Sequence, residues 1–211
     1  GYTANQILYQ NKNNDTKANS VKQIEVWGYD LEGFNAKYEG TKISTKAEDG
    51  NEVPATFFDL EGDKCVILVH GAGGDRVCAY PLAEGYLEAG YDVIAIDQRG
   101  CGDNPDERVT FGINEALDVK AMVKYAKEEL NASEVIVHGQ SMGAQTAAIY
   151  AAGVTAGDIE AADAVICDSP VPGMELVLRE MFGEDMGGMN SVPTNFLIGT
   201  SKAFMKLVYG I

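Results

Sequence analysis

The stretch Val135-Ile136-Val137-His138-Gly139-Gln140-Ser141-Met142-Gly143-Ala144 decides the fold. An apolar β-branched run leads into G-x-S-x-G, and an Ala-rich segment follows. Strand, tight turn and helix in that order are what a nucleophile elbow requires, because the serine must sit on a strained turn that lifts its hydroxyl above the sheet. Gly139 and Gly143 leave room where a larger side chain would strike the neighbouring strand or the following helix. The pentapeptide alone is a weak signal. Placed between a strand and a helix, it makes Ser141 a candidate nucleophile. The two histidines, His70 and His138, both lie upstream of it.

Outward from the elbow the rhythm is strand–helix–strand. Cys65–Val69, Tyr91–Ile96, Glu134–Val137 and Ala164–Cys167 are continuous β-branched runs, which suit strands buried on both faces of a parallel sheet. Helix-period segments alternate with them. In Gly112–Leu130, Ala116, Val119, Val123, Ala126 and Leu130 form one apolar stripe. Pro81–Ala89 stops at Gly90. Such alternation predicts right-handed βαβ units with helices on both faces, and a ligand site at the carboxyl ends of the strands. Ser141 falls at one such end. Upstream, Val21–Val26 alternates and predicts a strand, with Thr41–Thr45 and Ala55–Phe58 as antiparallel neighbours turning at Asp49-Gly50. Residues 1–20 are polar and read as a poorly packed leader, leaving 21–211 as the core domain. Within it, 170–211 reads as a helical cap or excursion, with helical candidates at Met174–Phe182 and Phe196–Val208.

At 211 residues the chain is most simply one domain. Its net charge of −16 argues against nucleic acid or an anionic membrane as partner. No stretch approaches the roughly 18 apolar residues of a membrane span. The first residue is Gly1 rather than Met, so the compartment stays open: cytoplasmic, or exported with a signal or anchor removed upstream. Four cysteines show no metal-ligand spacing. Cys65 and Cys167 sit in apolar runs and read as buried small hydrophobes. Cys78 and Cys101 fall in loops that both approach the site, where they are either free thiols or a disulfide. No metal or cofactor is expected; the run Gly71 to Gly74 lacks the Lys-Ser/Thr of a phosphate loop.

Three segments should converge at the carboxyl edge of the sheet. His70-Gly71-Ala72-Gly73-Gly74 follows one strand, Asp97-Gln98-Arg99-Gly100-Cys101-Gly102 the next, and Ser141-Met142 the third. Acyl transfer needs a nucleophilic oxygen beside two backbone donors that meet the developing oxyanion. The N–H groups of Ala72 and Met142 are the candidates; His70, Gly71, Gly73, Arg99, Gly139, Gln140 and Gly143 would shape the site.

These residues resemble the α/β-hydrolase family. His70–Gly74 is similar to its oxyanion loop, Asp97–Gly102 to its D-x-R-G-x-G turn with Cys101 where histidine is common, and Val137–Ala144 to its elbow. Phe111–Asp118 resembles a helix start in bacterial members near the serine-aminopeptidase-like and acyl-ester-hydrolase branches. The resemblance implies a mostly parallel doubly wound sheet with an antiparallel N-terminal edge. It implies a serine hydrolase for acyl esters, less readily amides or thioesters, working through an acyl-enzyme at Ser141. In this family the acid and histidine follow the last two strands, both beyond the elbow, and the sequence stops about where those strands would begin. The resemblance therefore implies a fold truncated or nicked at its C-terminus, with histidine and acid supplied by a segment outside this chain. The open Ala164–Cys167 edge would then be covered by the chain's own C-terminal fragment or by a second copy. Asp168 ends a parallel strand and reads first as an aspartate capping the turn before Pro170, with a catalytic acid as the alternative; Asp97 reads as turn-stabilising, His70 as loop-shaping and His138 as packed. Leu82, Tyr86, Met174, Leu178 and Met181 hint at an apolar acyl pocket, yet each is also a natural packing residue. The alternative function is a ligand-binding protein that uses the same pocket without chemistry.

Overall fold

The computed structural model describes Tyr9 and residues 14–170. The helical candidates at Met174–Phe182 and Phe196–Val208, and the pocket candidates Met174, Leu178 and Met181, lie outside the described residues. The strands are β1 (Gly40–Lys46), β2 (Glu52–Phe58), β3 (Lys64–Val69), β4 (Asp92–Ile96), β5 (Glu134–Gln140) and β6 (Ala164–Asp168). They form one sheet in the order β1-β2-β4-β3-β5-β6. β1 and β2 pair antiparallel, as do β2 and β4. The other pairs are parallel. After β3 the chain moves to one side to make β4, then crosses back to make β5 on the other. That reversal opens a crevice beyond the carboxyl ends of β3 and β5, where His70 and Ser141 stand.

Five helices complete the described chain: α1 (Thr16–Val26), α2 (Leu31–Lys37), α3 (Tyr80–Glu88), α4 (Glu115–Glu128) and α5 (Met142–Ala152). The β-branched runs bury on both faces because successive side chains alternate. On one face Val66, Leu68, Val93 and Ala95 pack with Ala83 and Leu87 of α3. On the other, Ile67, Val69, Ile94 and Ile96 pack with Val119, Met122 and Val123 of α4 and with Ala147 of α5. Each fully buried Val, Ile or Leu contributes about 1.5–3 kcal/mol of transfer free energy. A one-residue slip would turn every one of them to the wrong layer. The apolar stripe read in α4 is this packed face, and α3 stops at Gly90 in the left-handed region, φ +84°.

Three expectations of the fold fail. Thr16–Ser20, expected within a poorly packed leader, open helix α1, with Thr16 and Ser20 fully buried. The strand expected over Val21–Val26 is the second half of α1. Asp15 caps that helix, accepting the Ala18 N–H at 3.0 Å. Its fully buried residues, Thr16, Ser20 and Ile24, recur every four positions. Two of those three carry hydroxyls, so an apolar period could not reveal the buried stripe. Cys167 is exposed rather than buried, because β6 is the outermost described strand on its side of the sheet. None of the four cysteines forms a disulfide, Cys78 and Cys101 included.

Candidate active site

Ser141 bridges β5 and α5 with φ +56° and ψ −115°. A non-glycine residue held there costs about 1–3 kcal/mol and persists only where the surroundings over-determine it. They do. A Cβ on Gly143 would stand 2.0 Å from the Val69 carbonyl oxygen, and one on Gly139 would stand 2.0 Å from the Gly143 oxygen. The Ser141 N–H donates to the Asp168 carbonyl at 2.9 Å, tying the turn to the end of β6. The elbow is clamped between β3, β6 and its own helix.

Ser141 opens into a cavity of about 300 Å³ with Gly71, Ala72, Cys78, Gln140 and Ser169 around it, and with Gln23 and Trp27 of the α1 segment. A Cβ on Gly71 would lie 3.4 Å from the Ser141 Cβ and 3.9 Å from its Oγ. The loop after β3 therefore touches the serine. Met142 contributes from behind: its side chain is buried, and its N–H belongs to the first turn of α5, where amides lack intrahelical partners.

His70 and the next loop lock this arrangement. The Gln98 N–H donates to His70 Nε2 at 3.1 Å, so the proton sits on Nδ1, which donates to the Gly71 carbonyl at 2.7 Å. Gln98 Nε2 donates to the His70 carbonyl at 2.6 Å, and the Thr146 hydroxyl donates to Gln98 Oε1 at 2.7 Å. One glutamine thus couples the loops after β3 and β4 to α5. With both ring nitrogens engaged, His70 shapes the loop and does not serve Ser141 as a base.

His138 points away from the serine. It bonds the Tyr86 hydroxyl at 2.8 Å on the α3 face, and burial pushes its pKa down. Asp97 organises its turn: it accepts the Arg76 N–H at 2.9 Å, the Arg76 guanidinium at 2.5 Å and the Asp103 N–H at 2.7 Å. Arg99 lies behind the site rather than in it, paired with Asp49 at 2.6 Å and Asp118 at 2.7 Å. These ion pairs, the Asp118 one buried, anchor the loop after β4 to the β1–β2 turn and to α4. Asp168 holds the elbow through its carbonyl, while its carboxylate accepts the Ser169 hydroxyl at 2.9 Å. Leu82 and Tyr86 pack around the α3 core cluster, outside the cavity lining. Gly73 adopts φ +80°, and its carbonyl accepts from Asn19 of α1 at 3.2 Å.

Cys78 is the one thiol in the lining. Burial pushes it up to about 11, and its Sγ faces the Asp75 carbonyl at 3.0 Å, so it stays protonated. Sequence reasoning missed Gln23, Trp27 and Ser169. The Asp15-x-x-Ala18 cap and the sole tryptophan were the available signals for the first two; Ser169, at φ +52°, had none.

The family model described as alpha/beta hydrolase fold matches residues 64–191, more than half of the sequence. This chain belongs to the α/β-hydrolase fold family. Among solved structures, the Pyrococcus furiosus esterase Pf2001 superposes with a TM-score of 0.63 at 25% identity, covering 82% of this chain and 67% of that one. An alpha-beta hydrolase from Vibrio vulnificus reaches 0.59 at 23% identity over 84% of this chain and 60% of its own, a likeness of fold alone. In sequence, the Bacillus subtilis protein YqkD, itself uncharacterized, is 28% identical over 145 residues, and the match spans 40% of its length. The multifunctional-autoprocessing repeats-in-toxin protein of Vibrio vulnificus is 29% identical over 147 residues, 3% of its length. The chain therefore spans less than half of these two relatives. The family assignment accounts for the sheet order, the elbow and the loops after β3 and β4 together.

Proposed function

We propose that the protein is a serine hydrolase acting on acyl esters, less readily on amides or thioesters. The observation that carries the reading is the strained Ser141, held at φ +56° over a cavity walled by Gly71 and Ala72. A pocket that only binds has no use for a serine in that conformation. In the reaction, Ser141 Oγ bonds to the ester carbonyl carbon and loses its proton to a base. The Ala72 and Met142 N–H groups take the oxyanion. The carbon–alkoxide bond breaks, the alcohol leaves with the proton, and water then releases the acid from Ser141. His70 and His138 are committed elsewhere, so the base and its acid come from a segment outside this chain. The likeness to an esterase over 82% of this chain supports the ester as substrate.

The test is labelling by a fluorophosphonate of this chain together with the segment that carries the base, followed by mass spectrometry of the modified peptide and by hydrolysis of p-nitrophenyl esters. Stoichiometric label on Ser141, lost in Ser141→Ala, is the expected result. A second reading, a ligand-binding protein on the hydrolase fold, is favoured by the commitment of both histidines. A folded protein whose Ser141 stays unlabelled would establish that reading, because loss of the base lowers turnover by about 10⁶.

A further inference from the structure

We infer that helix α1 is the specificity wall of the Ser141 site and that the Trp27 indole receives the apolar part of the ester. The inference rests on the hydrolase reading and adds to it the residue that chooses the substrate.

Helix α1 lies on the two loops that build the site. Its buried stripe, Thr16, Ser20 and Ile24, faces down. The Gly102 N–H donates to Thr16 Oγ1 at 3.0 Å, and the Asp75 N–H donates to Ser20 Oγ at 2.7 Å. Asn19 donates to the Gly73 carbonyl, and Lys17 pairs with Asp103. Every one of these partners sits in the loop after β3 or the loop after β4. The docking is thus specific to the site.

Helical geometry then dictates what faces the cavity. Gln23 and Trp27 are four apart, and their row lies about 100° round the helix from the Ser20–Ile24 row. With the latter held against the loops, the former points over Ser141, and both residues line the cavity. The other described lining residues are Gly71, Ala72, Cys78, Gln140, Ser141 and Ser169, all small or polar. Trp27 supplies the only large apolar surface among the described lining residues. It is also 53% exposed, an unfavourable position for an indole unless something apolar comes to lie against it. A group next to a bound carbonyl at Ser141, directed toward α1, would cover that surface. The Gln23 amide beside it is placed to bond the polar end of the same group.

Trp27 is the sole tryptophan of the chain, so its fluorescence reports this site alone. The probe is octanoate carrying two bromine atoms on its chain, since bromine quenches an indole it touches. Saturable quenching, reversed by plain octanoate and retained in Ser141→Ala, is the expected result. By calorimetry, Trp27→Ala should weaken octanoate binding about tenfold, the order expected for losing one aromatic face. Its thermal midpoint should stay within about 1 °C of the parent, the ring being half exposed. Saturable binding of octanoate without quenching would overturn the assignment of Trp27 and leave the hydrolase reading intact. So would absence of binding in a protein whose Ser141 still takes up a fluorophosphonate. Absence of both binding and labelling would overturn both.

Discussion

The elbow at Gly139–Gly143 and helix α1 wall the same cavity, yet opposite forces hold them. At the elbow, backbone approaches backbone: an added Cβ on either glycine finds an oxygen at 2.0 Å. Beside it runs β3, buried along all but its first residue. Helix α1 has one buried apolar side chain, Ile24, and otherwise rests on hydroxyls, an amide and an ion pair. The Ser141 side of the cavity is therefore set by steric exclusion, the α1 side by polar contacts worth about 1 kcal/mol each. A rigid serine faces a wall that can shift without disturbing the sheet core.

The strongest way to break that comparison is Gly143→Ala. Neither the Val69 carbonyl nor the β3 backbone behind it can retreat without losing ladder bonds, so the variant should lose about 3 kcal/mol or more. Urea unfolding followed by far-UV circular dichroism measures it. A midpoint equal to the parent's would mean that the turn relaxes easily and that Ser141 is not held by sterics.

The same contrast explains what could be read in advance. The parallel strands and the elbow rest on β-branched runs such as Cys65–Val69 and on glycines at fixed spacing, both of which are visible in one dimension. Asp97 as a turn-holder and His138 as a packed residue followed from strand ends. Helix α1 was illegible because Thr16 and Ser20 occupy the positions an apolar residue would take, and their partners are loop amides 86 and 55 residues away. Helix α2 escaped notice for a related reason. It spans only seven residues, and its anchor Phe34 meets Phe58 and Tyr80 at centroid distances of 5.2 and 5.1 Å, long-range contacts that no local pattern encodes. Arg99 sat within a family-like loop and read as part of the site; its burial against Asp49 and Asp118 appears only in three dimensions.

On the helix side the effects are smaller and local. Thr16→Val leaves the Gly102 N–H without its acceptor, and Ser20→Ala does the same to Asp75; each should cost about 1–3 kcal/mol. The loss levels off once α1 undocks, because the sheet core does not depend on it. Amide hydrogen exchange at Gly102 and Asp75 should accelerate while exchange in β3 and β5 stays unchanged. Faster exchange throughout the sheet would make α1 part of the core and erase the contrast. Smaller again is Ser141→Gly. Glycine tolerates φ +56°, so relief of strain should offset its greater unfolded-state entropy and leave stability equal or up to about 1 kcal/mol higher. A clear loss of stability would show that the serine is not strained.

The smallest effect is a pH dependence confined to the helix. The Lys17 and Arg76 hydrogen bonds pull the Asp103 carboxyl down to about 2 from its ordinary 3.8. Arg76 stays beside Asp103 when α1 undocks, so only the Lys17 share of this depression is linked to docking, and it is fully present above about pH 4. That contribution is lost as pH falls through about 2. One third of the Asp103 side chain is exposed, so salt should weaken the effect. Trp27 anisotropy, which follows α1, should therefore drop between pH 4 and pH 2. Asp103→Asn should already show the lower value at pH 5 and change less across that window. Asp103 bonds Lys17 of α1, so the difference between parent and variant reports on the helix. If both proteins gave the same anisotropy at every pH, the ion pair would contribute nothing to docking, and the hydroxyl bonds of Thr16 and Ser20 would carry the helix by themselves.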